Sequence, residues 1–259
     1  VEPADLDLII CATISPEMIF PATACIIQNE IGATDVPAFD LSAACSGFVY
    51  GLSIASGLIE ARAHERILVV GAEALSRFAD PTDRATCVIF ADGAGAVVLE
   101  PTTRRGRGLL YSVLHADGSG WDYLYVPGGG SRRPATAETV RNRDHYIKMR
   151  GREVYKFAVE KMQWLLGHCM EQCGLTADDV DLVLPHQVNV RIIRSATEKV
   201  GLPMEKVYLN LDRYGNTSSA SIPLAMADAR AEGRLPPGAT VLLVAFGAGL
   251  TWAGAVLRV

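Results

Sequence analysis

The chain has 259 residues, 49% hydrophobic and 20% charged, with a net charge of −5. That length buries a substantial core and allows one or two domains, while the acidic balance gives a nucleic-acid partner no general electrostatic support. No apolar run approaches the roughly 18 residues of a membrane span and no signal-peptide pattern opens the chain, so no membrane partner is expected. Six cysteines, at positions 11, 25, 45, 87, 169 and 173, show no paired spacing. They read as free thiols in a reducing cytoplasm, and Cys169 with Cys173 is only a weak metal hint with no second pair nearby; no metal is expected.

In chain order, Asp5-Leu-Asp-Leu-Ile-Ile10 reads as a buried strand, followed by a helical segment ending at Gly32. Val36 to Asp40 is strand-like, and a small-residue turn leads into an amphipathic helix from Ser46 to Ala63. Ile67 to Val70 and Gly95 to Leu99 are further strands. A strand from Gly108 to His115 comes next, then a polar stretch from Tyr123 to Asp144 containing Pro127-Gly-Gly-Gly130, expected to be a flexible insertion. Val154, Phe157, Ala158, Met162, Leu165 and Leu166 recur with a period near 3.6, predicting a helix from Arg152 to Cys173.

The earlier series then repeats. Asp179-Val-Asp-Leu-Val-Leu184 matches the first strand, Gly201 ends the next helix, and Val207 to Leu211 is strand-like. A helix from Ser218 to Glu232, a strand from Val241 to Val244 and a last strand from Gly254 to Arg258 complete the copy. Two β-α-β-α-β-β halves, residues 1–107 and 108–259, predict an α/β fold of two sheets sharing a central helical layer. The strand and helix ahead of the second copy have no counterpart ahead of the first, so about 70 upstream residues are expected to be missing.

Cys45 stands in Ala43-Ala-Cys-Ser-Gly47, where a helix begins, and the helix dipole there is expected to favour thiolate. A buried structural cysteine is the competing reading. His186 follows a buried strand in Pro185-His-Gln-Val-Asn189, at a strand end where ligands gather in α/β folds. Asn216 lies in Tyr214-Gly-Asn-Thr-Ser218, a turn whose asparagine can serve the backbone alone. The repeat sets Asn216 about where Cys45 sits in the first half, so a pseudo-twofold would bring the two turns together, with His186 beside them. The turn Ala245-Phe-Gly-Ala-Gly249 offers backbone N–H groups to an oxyanion.

These blocks resemble those of the β-ketoacyl-acyl carrier protein synthase III family of the thiolase superfamily, as do Asp80-Pro-Thr-Asp-Arg84, Phe90-Ala-Asp-Gly-Ala-Gly95 and His115-Ala-Asp-Gly-Ser119. The resemblance runs in order over essentially the whole chain and implies a thiolase-like layered fold whose first half is truncated. It implies Cys45 as the acyl-accepting nucleophile and His186 and Asn216 as donors to the malonyl thioester oxygen. The N–H groups of Cys45 and Ala248 would form the oxyanion hole. Arg84 would pack on the coenzyme A adenine, and Gly151, Tyr155, Val188, Asn189 and Arg191 would line the pantetheine tunnel. Leu75 would line the acyl pocket, and Phe20 would close the pocket of the second subunit of a homodimer.

No permanently bound cofactor is implied; acyl-CoA is a substrate and malonyl-acyl carrier protein the partner. An acidic carrier meeting an acidic chain needs a local basic patch, for which Arg152, Lys156, Arg191, Arg194 and Lys199 are the candidates. A specialised-metabolism relative with another donor or acceptor, and a truncated non-catalytic protein of the same fold, stay open as alternatives.

Overall fold

A computed structural model describes residues 1–259. Strand β1 (Leu8–Ala12) is buried along its whole length, as its unbroken apolar run requires of a strand covered on both faces. It runs parallel to β2 (Ala38–Leu41) and β3 (Ile67–Ala74), and β4 (Asp92–Leu99) adds antiparallel to β3. Helix α1 (Thr23–Glu30) joins β1 to β2, and α2 (Gly47–Glu60) joins β2 to β3.

The second sheet has the order β5-β10-β9-β8. β5 (Gly108–Ala116) is followed by the short β6 (Leu124–Tyr125), α3 (Ala137–Arg141), β7 (Lys148–Met149) and the long helix α4 (Gly151–Gln172). β8 (Leu182–Pro185), α5 (Val190–Lys199), α6 (Leu211–Tyr214), α7 (Ser221–Ala231), β9 (Thr240–Gly247) and β10 (Thr251–Arg258) complete the chain.

Phe48 and Leu52 of α2 and Ile222 and Ala225 of α7 share one core with inward residues of both sheets, among them Ile10, Val69, Leu184 and Leu243. Those two helices therefore form the middle layer. Helices α4 and α5 cover the outer face of the second sheet through Met162, Leu165 and Ile193, and α1 covers part of the first through Ala24. The result is the expected helix-sheet-helix-sheet-helix stack.

Three local expectations change. The strand predicted at Val207 to Leu211 is a single bridge from Val207 to Val183. Beyond it the Gln187 side chain takes over the role of a ladder, donating from Nε2 to the carbonyls of Pro185 (3.0 Å) and Tyr208 (3.1 Å) and accepting from the Asn210 N–H (3.1 Å). The stretch from Tyr123 to Asp144, expected to be a loose insertion, is instead a tied-down cap. β6 pairs with β7, Thr136 and Thr139 cap α3 reciprocally, and the Ile147 N–H donates to the Phe78 carbonyl (2.8 Å). Arg143 grips the buried carboxylate of Asp80, with Nε 2.7 Å from Oδ2. Hydrogen bonding from Arg143 holds the Asp80 carboxyl well below the usual carboxylate range.

The pseudo-twofold also differs in register. α2 and α7 are each entered by one 3-10 turn, Ala44–Ser46 and Ser218–Ala220. Both turns begin on a left-handed residue, Ala44 (φ 47°) and Ser218 (φ 49°). The structural counterpart of Cys45 is therefore Ser219, and Asn216 lies three residues earlier. The turn carries Asn216 into the site by its backbone path, not by exact symmetry.

Candidate active site

The chain reaches Cys45 from β2 through Ala44, whose left-handed backbone turns the strand sharply into α2 and leaves the thiol buried at the centre of the molecule. The β9 end packs directly against it: a Cβ on Gly247 would lie 2.7 Å from the Cys45 nitrogen, so only glycine allows this approach. The Thr251 hydroxyl lies 3.0 Å from the Ala43 carbonyl and 3.2 Å from that of Ala248, tying the two turns together. Contrary to the expected lowering by the helix dipole, the Cys45 thiol is pushed up to about 12, chiefly by burial, with Glu73 adding to the rise and the Ser218 hydroxyl opposing it. The magnitudes explain the outcome: a helix terminus contributes about 0.3–1 kcal/mol, less than one pKa unit, whereas full burial shifts a group by up to roughly 3–5 units.

His186 follows β8, its N–H donating to the Val244 carbonyl (2.8 Å). Its ring is 1% exposed and stands edge-on to Phe246 with centroids 5.6 Å apart. Nδ1 lies 2.8 Å from Ser221 Oγ. That serine has no other acceptor for its proton; its only further bond is a long one accepted from the Gln187 N–H at 3.4 Å. Were Nδ1 protonated, the buried hydroxyl hydrogen would be stranded, so Ser221 donates to Nδ1 and the proton sits on Nε2. Burial lowers the His186 pKa to about 3, so the ring is neutral.

Asn216 is held by its backbone against the segment that leads into β4 of the other half: its N–H donates to the Ile89 carbonyl (3.0 Å) and its carbonyl accepts from the Ala91 N–H (2.9 Å), an isolated bridge around Phe90. Oδ1 accepts from the Ser218 N–H at 2.9 Å. With the side-chain oxygen engaged, the amide NH₂ is what Asn216 has left to offer to the cavity it lines.

Two cavities meet at Cys45. The outer one, about 150 Å³, is lined by Cys45, His186 and Asn216 together with Gly151, Tyr155, Val188 and Asn189, and floored by Phe157, Phe246 and Leu250. The inner one, about 210 Å³, is lined by Cys45, Leu75, Ala248 and Ser218 and by the apolar residues Ile14, Tyr125, Val126 and Ile147. Arg84 and Arg191 are exposed and line neither cavity. Phe20 is 82% exposed and lines no cavity of its own chain. Arg152 and Lys156 project from the first turns of α4, and Arg191 and Arg194 from the start of α5, all exposed. Lys199 ends α5, about 14 Å along the helix from the Asn189 end.

Sequence reasoning missed Glu73, Ser218 and Ser221. Glu73 is buried and accepts from the Ser15 hydroxyl (2.5 Å), the Ile14 N–H (3.1 Å) and the Ser219 hydroxyl (2.9 Å). It thereby joins the loop after β1 to the turn that carries Asn216. A buried charged residue at a strand end, in Gly71-Ala-Glu73, was the available signal.

Two family models match the chain: 3-oxoacyl-[acyl-carrier-protein] synthase III over residues 39–118, and the C-terminal part of the same synthase over residues 170–259. The beta-ketoacyl-[acyl-carrier-protein] synthase III of Caldanaerobacter subterraneus is 51% identical over 257 residues, covering 99% of this chain and 77% of its own length. The chain belongs to the 3-oxoacyl-[acyl-carrier-protein] synthase III family. The enzyme of that name from Symbiobacterium thermophilum is 52% identical over 258 residues, covering all of this chain and 78% of its own. Among solved structures, the Aquifex aeolicus synthase III superposes with a TM-score of 0.91 at 43% identity, over 100% of this chain and 79% of that one. The priming β-ketosynthase of the R1128 polyketide pathway gives 0.89 at 34%, over 100% and 76%. No helix of the chain is long and apolar enough to cross a membrane.

Proposed function

We propose that Cys45, His186 and Asn216 carry out the initiating condensation of fatty acid synthesis. In this reaction a short acyl-CoA and malonyl-acyl carrier protein give 3-oxoacyl-acyl carrier protein, CO₂ and coenzyme A. The observation that carries the reading is the division of the cavities: Cys45 is common to both, while His186 and Asn216 line only the outer one. A chain held on the sulfur fits the apolar inner cavity, and a second thioester fits the outer cavity beside two neutral donors.

In the first half-reaction the Cys45 sulfur attacks the acyl carbonyl. The bond to coenzyme A sulfur breaks, and the thiol proton leaves with coenzyme A. The N–H groups of Cys45 and Ala248 are the donors to the transient oxyanion. In the second, the malonyl C–C bond breaks, CO₂ departs and the electron pair becomes an enolate. Nε2–H of His186 and the Asn216 amide hold the enolate oxygen; no base is needed, because decarboxylation removes no proton. The enolate carbon attacks the acyl thioester and the Cys45 sulfur leaves, regaining a proton.

The same reading makes Gly151, Tyr155, Val188 and Asn189 the pantetheine path, with Arg84 and Arg191 acting outside it on the nucleotide end. Leu75 lines the acyl pocket, and the exposed Phe20 closes that of a second copy in a homodimer. A priming role in specialised metabolism is the second reading, favoured by the R1128 match; identities near 50% to synthase III enzymes support the first. Intact-mass measurement after mixing with acetyl-CoA tests the core of it. One acetyl group is expected on the wild-type chain and none on Cys45→Ala; a labelled Cys45→Ala would remove Cys45 as the nucleophile.

A further inference from the structure

Ser218 is 0% exposed, and its hydroxyl makes no hydrogen bond to any protein atom. It is the only serine or threonine lining the inner cavity, which it shares with Cys45. Its backbone is fixed on both sides. The N–H is held by Asn216 Oδ1 at 2.9 Å, and the neighbouring Ser219 hydroxyl lies 2.7 Å from the Ala12 carbonyl and 2.9 Å from Glu73. Only rotation about its Cα–Cβ bond remains.

The left-handed backbone does not account for a serine at this position. Ala44 takes the same conformation at the counterpart turn with nothing but a methyl group. The hydroxyl is thus surplus to the turn's needs, and a buried unpaired donor is unfavourable unless something uses it. What shares the cavity with it is Cys45, whose charged form the hydroxyl favours against the effect of burial.

We propose that Ser218 is a further catalytic residue, its Oγ–H donating a hydrogen bond to the Cys45 sulfur as that sulfur attacks the acyl carbonyl. The hydroxyl keeps its proton throughout, and the bonds made and broken are those of acyl transfer. This deepens the reading above and rests on Cys45 being the acyl acceptor. The other titratable groups around the sulfur, Glu73 at the end of β3 and His186 after β8, stay in place when Ser218 changes.

The test is Ser218→Ala, which the example of Ala44 marks as compatible with the fold, beside Thr217→Val. Thr217 is also buried with an unpaired hydroxyl but lines neither cavity. Melting temperature, the pH profile of Cys45 alkylation by iodoacetamide, and single-turnover acetyl transfer from acetyl-CoA are measured on each. Ser218→Ala is expected to melt at or above the wild-type temperature, to shift the alkylation profile to higher pH and to slow acetyl transfer roughly tenfold, the loss of one hydrogen bond to a charged atom. Thr217→Val is expected to match wild type in both reactions. Alkylation and transfer within twofold of wild type in Ser218→Ala, or equal losses in Thr217→Val, would overturn the proposal. Acetylation of Cys45→Ala would instead overturn the assignment of the nucleophile, and this proposal with it.

Discussion

A neutral histidine is the more useful donor at this site, because an enolate oxygen needs a hydrogen bond and the site has no charge to spare for a proton. Ser221 fixes the ring so that Nε2 carries the hydrogen, and burial keeps it neutral. His186→Ala and Asn216→Ala should each slow decarboxylative condensation on the order of a hundredfold. Single-turnover acetylation of Cys45 should stay within a fewfold, and equal loss in both half-reactions would sink this division of labour. The same burial has a stability consequence. Unfolded histidine titrates near 6.5 and folded His186 at about 3, so between those values the unfolded chain binds a proton that the fold refuses. The stability contributed by His186 is complete above pH 6.5 and is lost as pH falls through that window, by up to about 1.4 kcal/mol per pH unit. Urea midpoints for wild type and His186→Gln at falling pH should show a shallower slope in the variant. That Cys45, His186 and Asn216 come together at one cavity was legible in the sequence because the repeat sets their turns near one another. Ser218 and Ser221 were not, since a serine in a small-residue turn looks like an ordinary cap until its partners are known; Glu73 was overlooked although a charged residue near the end of an apolar strand was a signal.

Among the elements, the central strands β1, β3, β8 and β9 declared themselves through runs of Ile, Val and Leu, and α4 through its 3.6-residue spacing. The cap between Tyr123 and Asp144 did not, because its order comes from distant partners: Asp80 for Arg143, and Phe78 for Ile147. Proline and glycine in Pro127-Gly-Gly-Gly130 spoke only of local freedom. The contact between β3 and the turn before α7 is equally invisible to local reasoning. A Cβ on Gly71 would stand 2.4 Å from the Ser219 carbonyl oxygen, against backbone that cannot swing aside. Gly71→Ala should therefore destabilise the fold by roughly 1–3 kcal/mol, read as a lower denaturation midpoint. It should also impair condensation, because the displaced turn carries Asn216. A melting curve indistinguishable from wild type would mean that the two layers are not in such close contact.

At the scale of the whole molecule, the duplicated halves were readable from the repeat, but the meeting of two cavities on one sulfur was not. The proposed carrier partner enters at this scale, since the chain is acidic overall and docking must rely on a local patch. Arg191→Glu with Lys156→Glu should raise KM for malonyl-carrier several-fold at low salt and leave acetylation at saturating acetyl-CoA unchanged, with the difference fading as salt rises. Unchanged carrier-dependent turnover at low salt would move the docking surface elsewhere. The shared outer cavity also bears on the order of events. On the proposed reading both thioesters come to Cys45 through the cavity lined by His186 and Asn216, so one visitor has to leave before the next arrives. Turnover is then ping-pong: reciprocal plots for the two substrates run parallel, free coenzyme A competes with malonyl-carrier, and excess acyl-CoA inhibits by parking in the passage of the already acylated protein.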